Sequence, residues 1–119
     1  MPPAKPISDV YVLGVISSAR PNDWERLSRG ATTTRYAHTG EIIIATAEIG
    51  YGNNGIARLN GNTMRQHGDS QGISQGNTIV GFIKYWRTSL QGSGYFTYEV
   101  TSIVHPYNTM STRLNIRSP

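Results

Sequence analysis

The segment best suited to ligand chemistry spans residues 48–55 and reads EIGYGNNG, at the end of a strongly apolar stretch. Its Gly and Asn residues tolerate left-handed backbone, so the chain can turn tightly there and expose Tyr51. An exposed tyrosine ring beside asparagine amides offers a flat apolar surface together with hydrogen-bond donors and acceptors. We therefore predict that Tyr51, Asn53 and Asn54 contact a sugar-like ligand. The alternative is an ordinary turn with Tyr51 packed into it.

Two other loops carry side chains of the same kind. The loop at residues 66–72 contains Asp69, and the last predicted turn contains Tyr107 followed by Asn108. In this interpretation a tyrosine stacks on the ligand, the asparagines hydrogen-bond to it, and Asp69 or Glu48 accepts from hydroxyls or holds Ca²⁺. A plain surface loop is the alternative at residues 66–72. The predicted ligand-binding residues are Tyr51, Asn53, Asn54, Asp69, Tyr107 and Asn108.

Catalytic groups are sparse in the chain, which has three histidines and seven acidic residues. Glu41 and Glu48 lie seven residues apart on one predicted strand, which puts them on opposite faces and about 23 Å apart. They cannot form the acid–base pair of a hydrolase. We predict no catalytic residue and favour a protein that is not an enzyme. A small secreted hydrolase or toxin is an alternative supported by residue types alone, with candidates Ser70, Asp69, His38, His67 and His105.

The basic residues are almost all arginine, and the net charge is +4. Guanidinium groups suit carboxylate, sulfate and phosphate, so an anionic partner such as an acidic glycan or a lipid headgroup is predicted. Solvated surface charge is the alternative. Nucleic acid is disfavoured because the charge is modest, lysine is scarce and no interleaving of aromatic and basic residues of the RNP type occurs. Four of the arginines fall within 16 residues, namely Arg20, Arg26, Arg29 and Arg35.

The composition describes one small domain. The chain has 119 residues, 13.1 kDa and no cysteine, which excludes disulfide scaffolds, zinc–thiolate sites and thiol nucleophiles. No apolar run approaches the ~18 residues of a transmembrane helix. Residues 1–6, MPPAKP, do not resemble a signal peptide. Either the protein is cytoplasmic, or it is secreted and its signal has been removed.

Alternating apolar and polar residues predict strands along nearly the whole chain. Asn60-Gly61 predicts a type I′ hairpin turn, and Gly81 marks a bulge or a close backbone approach. Only residues 22–29 look helical, with Asn22 as the cap and Gly30 as the stop. We expect a single-domain antiparallel β-sandwich, or a small barrel, with one short N-terminal helical turn and residues 1–7 as an extension. The predicted strands are 10–16, 32–36, 41–49, 55–59, 63–66, 78–86, 95–104 and 111–117.

The C-terminal part of the chain resembles a known family. The segments Phe96–Val100 and Pro106–Thr112, together with Gly50-Tyr51-Gly52, are similar to a family of small secreted bacterial proteins of unknown function, the YolA-like domain. The resemblance covers residues 40–118. It implies a secreted β domain and transfers no catalytic residue.

These observations favour a non-enzymatic extracellular module that binds a polar or acidic ligand, with a glycan as the leading candidate. No cofactor is predicted apart from the Ca²⁺ considered above. The alternative is a structural module that associates with itself, because exposed Thr-rich strands can pair edge to edge and form a homo-oligomer.

Overall fold

A computed structural model describes residues 5–119, except for the side chain of Asn54. It contains eleven strands and no helix within that part of the chain. In chain order the strands are β1 (Asp9–Ser17), β2 (Arg20–Arg26), β3 (Thr33–Ala37), β4 (Gly40–Ile49), β5 (Gly52–Leu59), β6 (Asn62–Thr63), β7 (Arg65–Gln66), β8 (Gln71–Gln75), β9 (Thr78–Leu90), β10 (Gly94–Ser102) and β11 (Thr109–Arg117).

The strands form two sheets. The first sheet has the order β2-β1-β4-β9-β7, with β8 also paired to β9, and it curls like half a barrel. The second sheet has the order β3-β11-β10-β5-β6. Neighbouring strands are antiparallel except β3 and β11, which run parallel. The all-β expectation is therefore confirmed, and one pair departs from the antiparallel pattern.

A single apolar core lies between the two sheets. Strand β4 contributes Ile42 and Ile44, and β10 contributes Phe96, Tyr98 and Val100, all with no measurable exposure. The buried residues of β10 alternate with more exposed ones, as a strand with one buried face requires. The alternation in the sequence predicts that Phe96, Tyr98, Val100 and Ser102 share one face of this strand, and their burial confirms it. In β4 the other face is buried as well, at Ala45 and Ala47. On β11, Leu114 and Ile116 are likewise buried, while Arg113, Asn115 and Arg117 are exposed.

The chain itself joins the two sheets at one edge. Asn60 and Gly61 have φ values of 52° and 82°, which confirms the predicted type I′ turn. The returning strand predicted at 63–66 is split, because β6 pairs with β5 and β7 pairs with β9 of the other sheet. Met64 lies at the crossing, 4% exposed in the core.

The predicted helical turn at residues 22–29 is wrong. Residues 20–26 form β2, an edge strand paired with β1. Asn22 has a φ of 62° and so does not act as a helix cap. The segment is shorter than two helical turns, so its helical tendency is weak and tertiary contacts decide its conformation. Here the decisive contacts are those of Glu25, which is 2% exposed, while its neighbours Trp24 and Arg26 point outward.

Glu25 closes the opposite edge of the two sheets. Its carboxylate accepts the backbone N–H of Arg35 at 2.7 Å and that of Tyr36 at 3.2 Å, both on β3 of the second sheet. It also accepts Nε2–H of His38 at 2.9 Å, and the Ser17 hydroxyl lies 2.8 Å from Nδ1 of the same ring. We call this buried group of Ser17, Glu25 and His38 the Glu25 clamp. The Glu25 side chain thus links β2 to β3, in place of the backbone hydrogen bonds that would join two paired strands.

The clamp carboxylate is held in its ionised form. Burial acts to raise the pKa of Glu25, but the hydrogen bonds from Arg35, His38 and Tyr36 outweigh it and keep the pKa below its ordinary value. An ionised carboxylate accepts only, so Nε2 of His38 must carry the proton that it donates. In the neutral ring, Nδ1 then accepts from the Ser17 hydroxyl.

Candidate functional site

Tyr51 lines a surface hollow of about 520 Å³, which is within the usual size of small-ligand sites. We call it the Tyr51 hollow. Its apolar wall includes Tyr51, Ile49 and Ile79, and its polar groups include Lys5, Ser8 and Gln75. The combination of an aromatic ring, hydrogen-bonding side chains and one cation suits a polar ligand that carries a carboxylate.

A tight turn between β4 and β5 places Tyr51. Gly50 has a φ of 108°, and a Cβ at this position would overlap the backbone of Pro6. The N–H of Gly50 donates to the Val80 carbonyl and that of Tyr51 to the Lys5 carbonyl, each at 2.8 Å. Residues 5–8 therefore run against the turn, which makes the exposed residue Lys5 part of the lining of the same hollow.

The Tyr51 ring is held in place. Its hydroxyl donates to the Ile79 carbonyl at 2.8 Å, and its ring packs edge-on against Phe82 with centroids 5.5 Å apart. The side chain is only partly buried. Tyr51 therefore packs into the turn, as the alternative interpretation predicted, and it also lines the hollow.

The other residues predicted near Tyr51 have separate environments. Asn53 is exposed on β5, opposite Thr101, and the side chain of Asn54 lies outside the described part. Asn108 accepts from the Ser102 hydroxyl at 2.6 Å and donates to the Ile7 carbonyl at 3.0 Å. It therefore ties Ile7 to β10.

Tyr107 and Ile7 lie at the same end of the second sheet. Tyr107 is 63% exposed, has a φ of 55° and meets His105 edge-on, with ring centroids 6.2 Å apart. Ile7 is 3% exposed and belongs to the core. The Ile103 N–H donates to the Tyr51 carbonyl at 3.1 Å, which links the segment before Tyr107 to the Tyr51 turn.

Asp69 is not brought to the Tyr51 hollow. It is exposed in the loop between β7 and β8, and the N–H of His67 donates to the Tyr85 carbonyl beside it. The Tyr51 turn instead meets β9 at Val80, so the two regions are separated by about 15 Å along that strand. The loop is also shorter than predicted, because residues 71–75 form β8.

A buried polar cluster was not recognised from the sequence. Glu48 is 1% exposed, and its Oε1 accepts the Tyr98 hydroxyl at 2.5 Å and lies 3.2 Å from Lys84 Nζ. Its Oε2 has no hydrogen-bond partner among the described residues. Burial, together with the hydrogen bond to Glu48, raises the pKa of Tyr98 above its usual range. We call Glu48, Lys84 and Tyr98 the Glu48 cluster.

The position of Glu48 agrees with its parity on the strand. Glu41 is exposed and Glu48 is buried, which confirms that they face opposite sides of β4. Because Glu48 shares its face with Ile42 and Ile44, the same parity could have predicted a buried carboxylate in need of partners. Gly55 makes room for the cluster, since a Cβ there would lie 2.5 Å from the Tyr98 hydroxyl oxygen.

The Glu25 clamp contains the residue types of a Ser–His–acid triad but lacks access. Ser17 is 4% exposed, Glu25 2% and His38 0%. A nucleophile must reach its substrate, and no substrate reaches Ser17 in this conformation. His38 therefore has a structural environment, and it does not lie with Ser70 or Asp69. The sequence could not reveal this grouping, because Ser17, Glu25 and His38 come from three separate segments.

Within residues 5–119, no three His, Asp or Glu side chains come together in a way that could hold a metal ion. In the same range there is no helix with the length and apolar character needed to cross a membrane.

Comparison with known proteins identifies a family for nearly the whole chain. Residues 2–116 match the family model described as "Domain of unknown function (DUF4879)". No curated protein and no solved structure matches the chain. The narrower resemblance to the YolA-like domain stays a prediction. Because the match extends over almost every residue of the domain described above, the chain belongs to the DUF4879 family.

Proposed function

We propose that this protein is a non-enzymatic binding module that takes a polar or acidic ligand in the Tyr51 hollow, with a glycan as the favoured class. The observation that carries the proposal is that Tyr51 and the exposed residue Lys5 line the same hollow of about 520 Å³. A sugar ring packs its C–H surface on an aromatic side chain, and a uronic acid adds a carboxylate that a lysine can pair.

Preorganisation supports this choice. The Tyr51 hydroxyl is already bonded to the Ile79 carbonyl and the ring already rests on Phe82. A ligand that binds there does not have to immobilise this side chain, which reduces the entropic cost of binding. Ser8 and Gln75 are exposed and line the same hollow, so their polar atoms are available to ligand hydroxyls.

An extracellular location is part of the proposal and depends on the resemblance to secreted proteins. The expectation of Ca²⁺ as a ligand is retained as well, and Ca²⁺ is included in the test below. A self-associating module is the alternative, and light scattering that shows a strict monomer at high concentration would exclude it.

Thermal unfolding with a panel of neutral sugars, uronic acids, acidic polysaccharides and Ca²⁺ tests the proposal. A ligand at ~100 times its Kd stabilises the folded state by about 2.7 kcal/mol, which raises Tm by several degrees in a domain of this size. We expect at least one glycan to raise the Tm of the wild type. Tyr51→Ala should remove that shift, whereas Tyr95→Ala, which alters an exposed ring on the second sheet, should keep it.

Two further variants guard against simple loss of folding in Tyr51→Ala. Tyr51→Phe keeps the ring and loses only the bond to Ile79, so we expect it to retain binding. Lys5→Gln alters an exposed side chain and should weaken acidic ligands more than neutral ones. A Tm shift that is equal in the wild type and in folded Tyr51→Ala would overturn the proposal.

A further inference from the structure

A second hollow, of about 410 Å³, lies where β2 ends and β3 begins. We call it the arginine hollow. Two exposed arginines, Arg26 and Arg35, line it together with the hydroxyl-bearing residues Ser28 and Thr33. It shares no lining residue with the Tyr51 hollow. None of its lining residues is acidic, so its local charge is positive.

The two arginines differ from their neighbours in sequence. Arg20 pairs with Asp23 at 2.5 Å and Arg29 pairs with Asp9. For Arg26 and Arg35, by contrast, the described part of the chain places no carboxylate within ion-pair distance of either guanidinium. Two of the four clustered arginines are thus neutralised internally, and the two that remain face one hollow.

The Glu25 clamp positions both side chains. Arg26 directly follows Glu25 on β2, and the backbone N–H of Arg35 donates to Glu25 Oε2 at 2.7 Å. Because alternate residues of a strand face opposite sides, a buried Glu25 directs Arg26 outward, and a buried Thr34 does the same for Arg35. The carboxylate itself faces the interior and is fully occupied by three donors.

Arg117 on β11 supports the β3 backbone that carries Arg35. Arg117 Nη1 donates to the Arg35 carbonyl at 3.2 Å, and the Arg117 N–H donates to the Thr34 hydroxyl at 3.0 Å. These bonds anchor β3 to β11 on the side away from β2. The backbone that carries Arg35 is therefore held from both sides, which limits the reorganisation needed when a ligand binds.

We propose that the arginine hollow binds an anionic tetrahedral group, a sulfate or a phosphate, either as the free anion or as an ester. Guanidinium groups bind such groups through paired N–H donors, and hydroxyls such as those of Ser28 and Thr33 complete the coordination of tetrahedral oxyanions. This site does not depend on the function proposed for the Tyr51 hollow.

The experiment follows the arginine Nε–Hε resonances by NMR while sodium sulfate, sodium phosphate, dextran sulfate or neutral dextran is added at constant ionic strength. The backbone amides of Ser28 and Thr33, which line the same hollow, report binding in variants that lack Arg26 and Arg35. We expect saturable shifts at Arg26 and Arg35 with sulfate, phosphate or dextran sulfate, and none with neutral dextran. Saturation by the inorganic ions identifies the free anion as a ligand. Saturation by dextran sulfate alone identifies the ester.

Variants decide whether the hollow is the site. The double variant R26Q/R35Q should weaken binding by about tenfold or more, and R26K/R35K, which keeps the charge without the planar fork, should lie between it and the wild type. The matched control is R65Q/R113Q, which removes the same charge from exposed arginines elsewhere. Unchanged Tm values verify that each variant folds.

Equal loss in R26Q/R35Q and R65Q/R113Q would show diffuse electrostatic attraction and overturn the proposal, as would the absence of saturable shifts. Tyr51→Ala should leave oxyanion binding unchanged. Failure of the arginine hollow and failure of the Tyr51 hollow are therefore distinguishable.

Discussion

Replacing Glu25 by glutamine tests how the two sheets are held together. The wild-type carboxylate accepts three donors, namely the N–H groups of Arg35 and Tyr36 and the imidazole of His38, at 2.7, 3.2 and 2.9 Å. Glutamine has nearly the same shape but only one accepting oxygen. At least one buried donor then faces an NH₂ group, and the remaining bonds lose the assistance of the charge.

The expected loss of unfolding free energy is about 3 kcal/mol. A hydrogen bond to a charged group contributes roughly 1.5–3 kcal/mol, and a buried donor left without an acceptor costs about 1–3 kcal/mol. Breaking a buried ion pair by removing one partner costs about 3–5 kcal/mol, which sets the upper end. A domain with a stability of roughly 5–15 kcal/mol remains folded after such a loss, and its Tm falls by roughly 10 °C.

The pH dependence supplies an independent check on the same residue. Because the folded-state pKa of Glu25 lies below its ordinary value of 4.5, the stabilisation it provides is complete above about pH 4.5 and is lost as the pH falls through the lowered pKa. Urea unfolding of the wild type and Glu25→Gln should therefore show a difference that is constant at neutral pH and shrinks in acid.

The matched control for Glu25→Gln is Glu41→Gln. Glu41 also has a lowered pKa, because it accepts hydrogen bonds from Ser89 and Arg87. It is exposed, however, and both partners belong to its own sheet. Its replacement should leave the urea midpoint close to that of the wild type. Unfolding of Glu25→Gln at the wild-type midpoint would show that the Glu25 clamp does not stabilise the fold. A difference from the wild type that did not change between pH 7 and pH 3 would show that ionisation of Glu25 does not contribute.

Two further substitutions test the core. Tyr98→Phe removes the hydroxyl that donates to Glu48 at 2.5 Å. Because a buried carboxylate loses a donor, the free energy of unfolding, measured by urea denaturation, should fall by about 2–3 kcal/mol. The control Tyr95→Phe alters an exposed ring and should leave that free energy almost unchanged. Equal losses in Tyr98→Phe and Tyr95→Phe would show that the hydrogen bond from Tyr98 to Glu48 does not stabilise the fold. Gly81→Ala places a Cβ against the carbonyl oxygen of Glu48 in β4 and should lower the free energy of unfolding by about 3 kcal/mol. In the control Gly72→Ala the new Cβ would lie 3.3 Å from an atom of the flexible Ile79 side chain, so the loss should be small. Comparable urea midpoints for the two variants would show that β4 and β9 do not approach closely at Gly81.

Local signals in the sequence predicted the strands well where one residue type determines the backbone. Asn60-Gly61 permits positive φ at both turn positions, and the structure has it at both. Gly81 was recognised as a close approach, and β4 does pass directly beside it. The alternation of Phe96, Tyr98 and Val100 predicted the buried face of β10.

Features that depend on distant partners were not predictable in the same way. The segment around Glu25 reads as a capped helical turn, yet its carboxylate is used by β3, ten residues further along the chain at Arg35. Met64 marks the point where the chain leaves one sheet for the other, and nothing in the local pattern separates β6 from β7. Tertiary contacts determine the conformation of segments such as these.

The candidate site likewise combines residues that local sequence predicts with residues that only the fold brings together. The residues around Tyr51 were identified from Gly and Asn content, and Tyr51 does line a hollow. Its neighbour Lys5 was not predicted, because it comes from a segment some 45 residues earlier that the fold brings alongside. Asp69 was grouped with Tyr51 on residue type, but the pairing of β7 and β8 with β9 places it elsewhere.

The most direct test of the account is an NMR titration of the wild-type backbone amides with the glycan or uronic acid that raises Tm most. The proposed function predicts shifts grouped around the Tyr51 hollow, at Ser8, Tyr51, Gln75 and Ile79. It also predicts that Asp69 and its loop stay unchanged. Shifts centred on that loop or on Tyr107, or a panel in which no ligand produces saturable shifts, would contradict it.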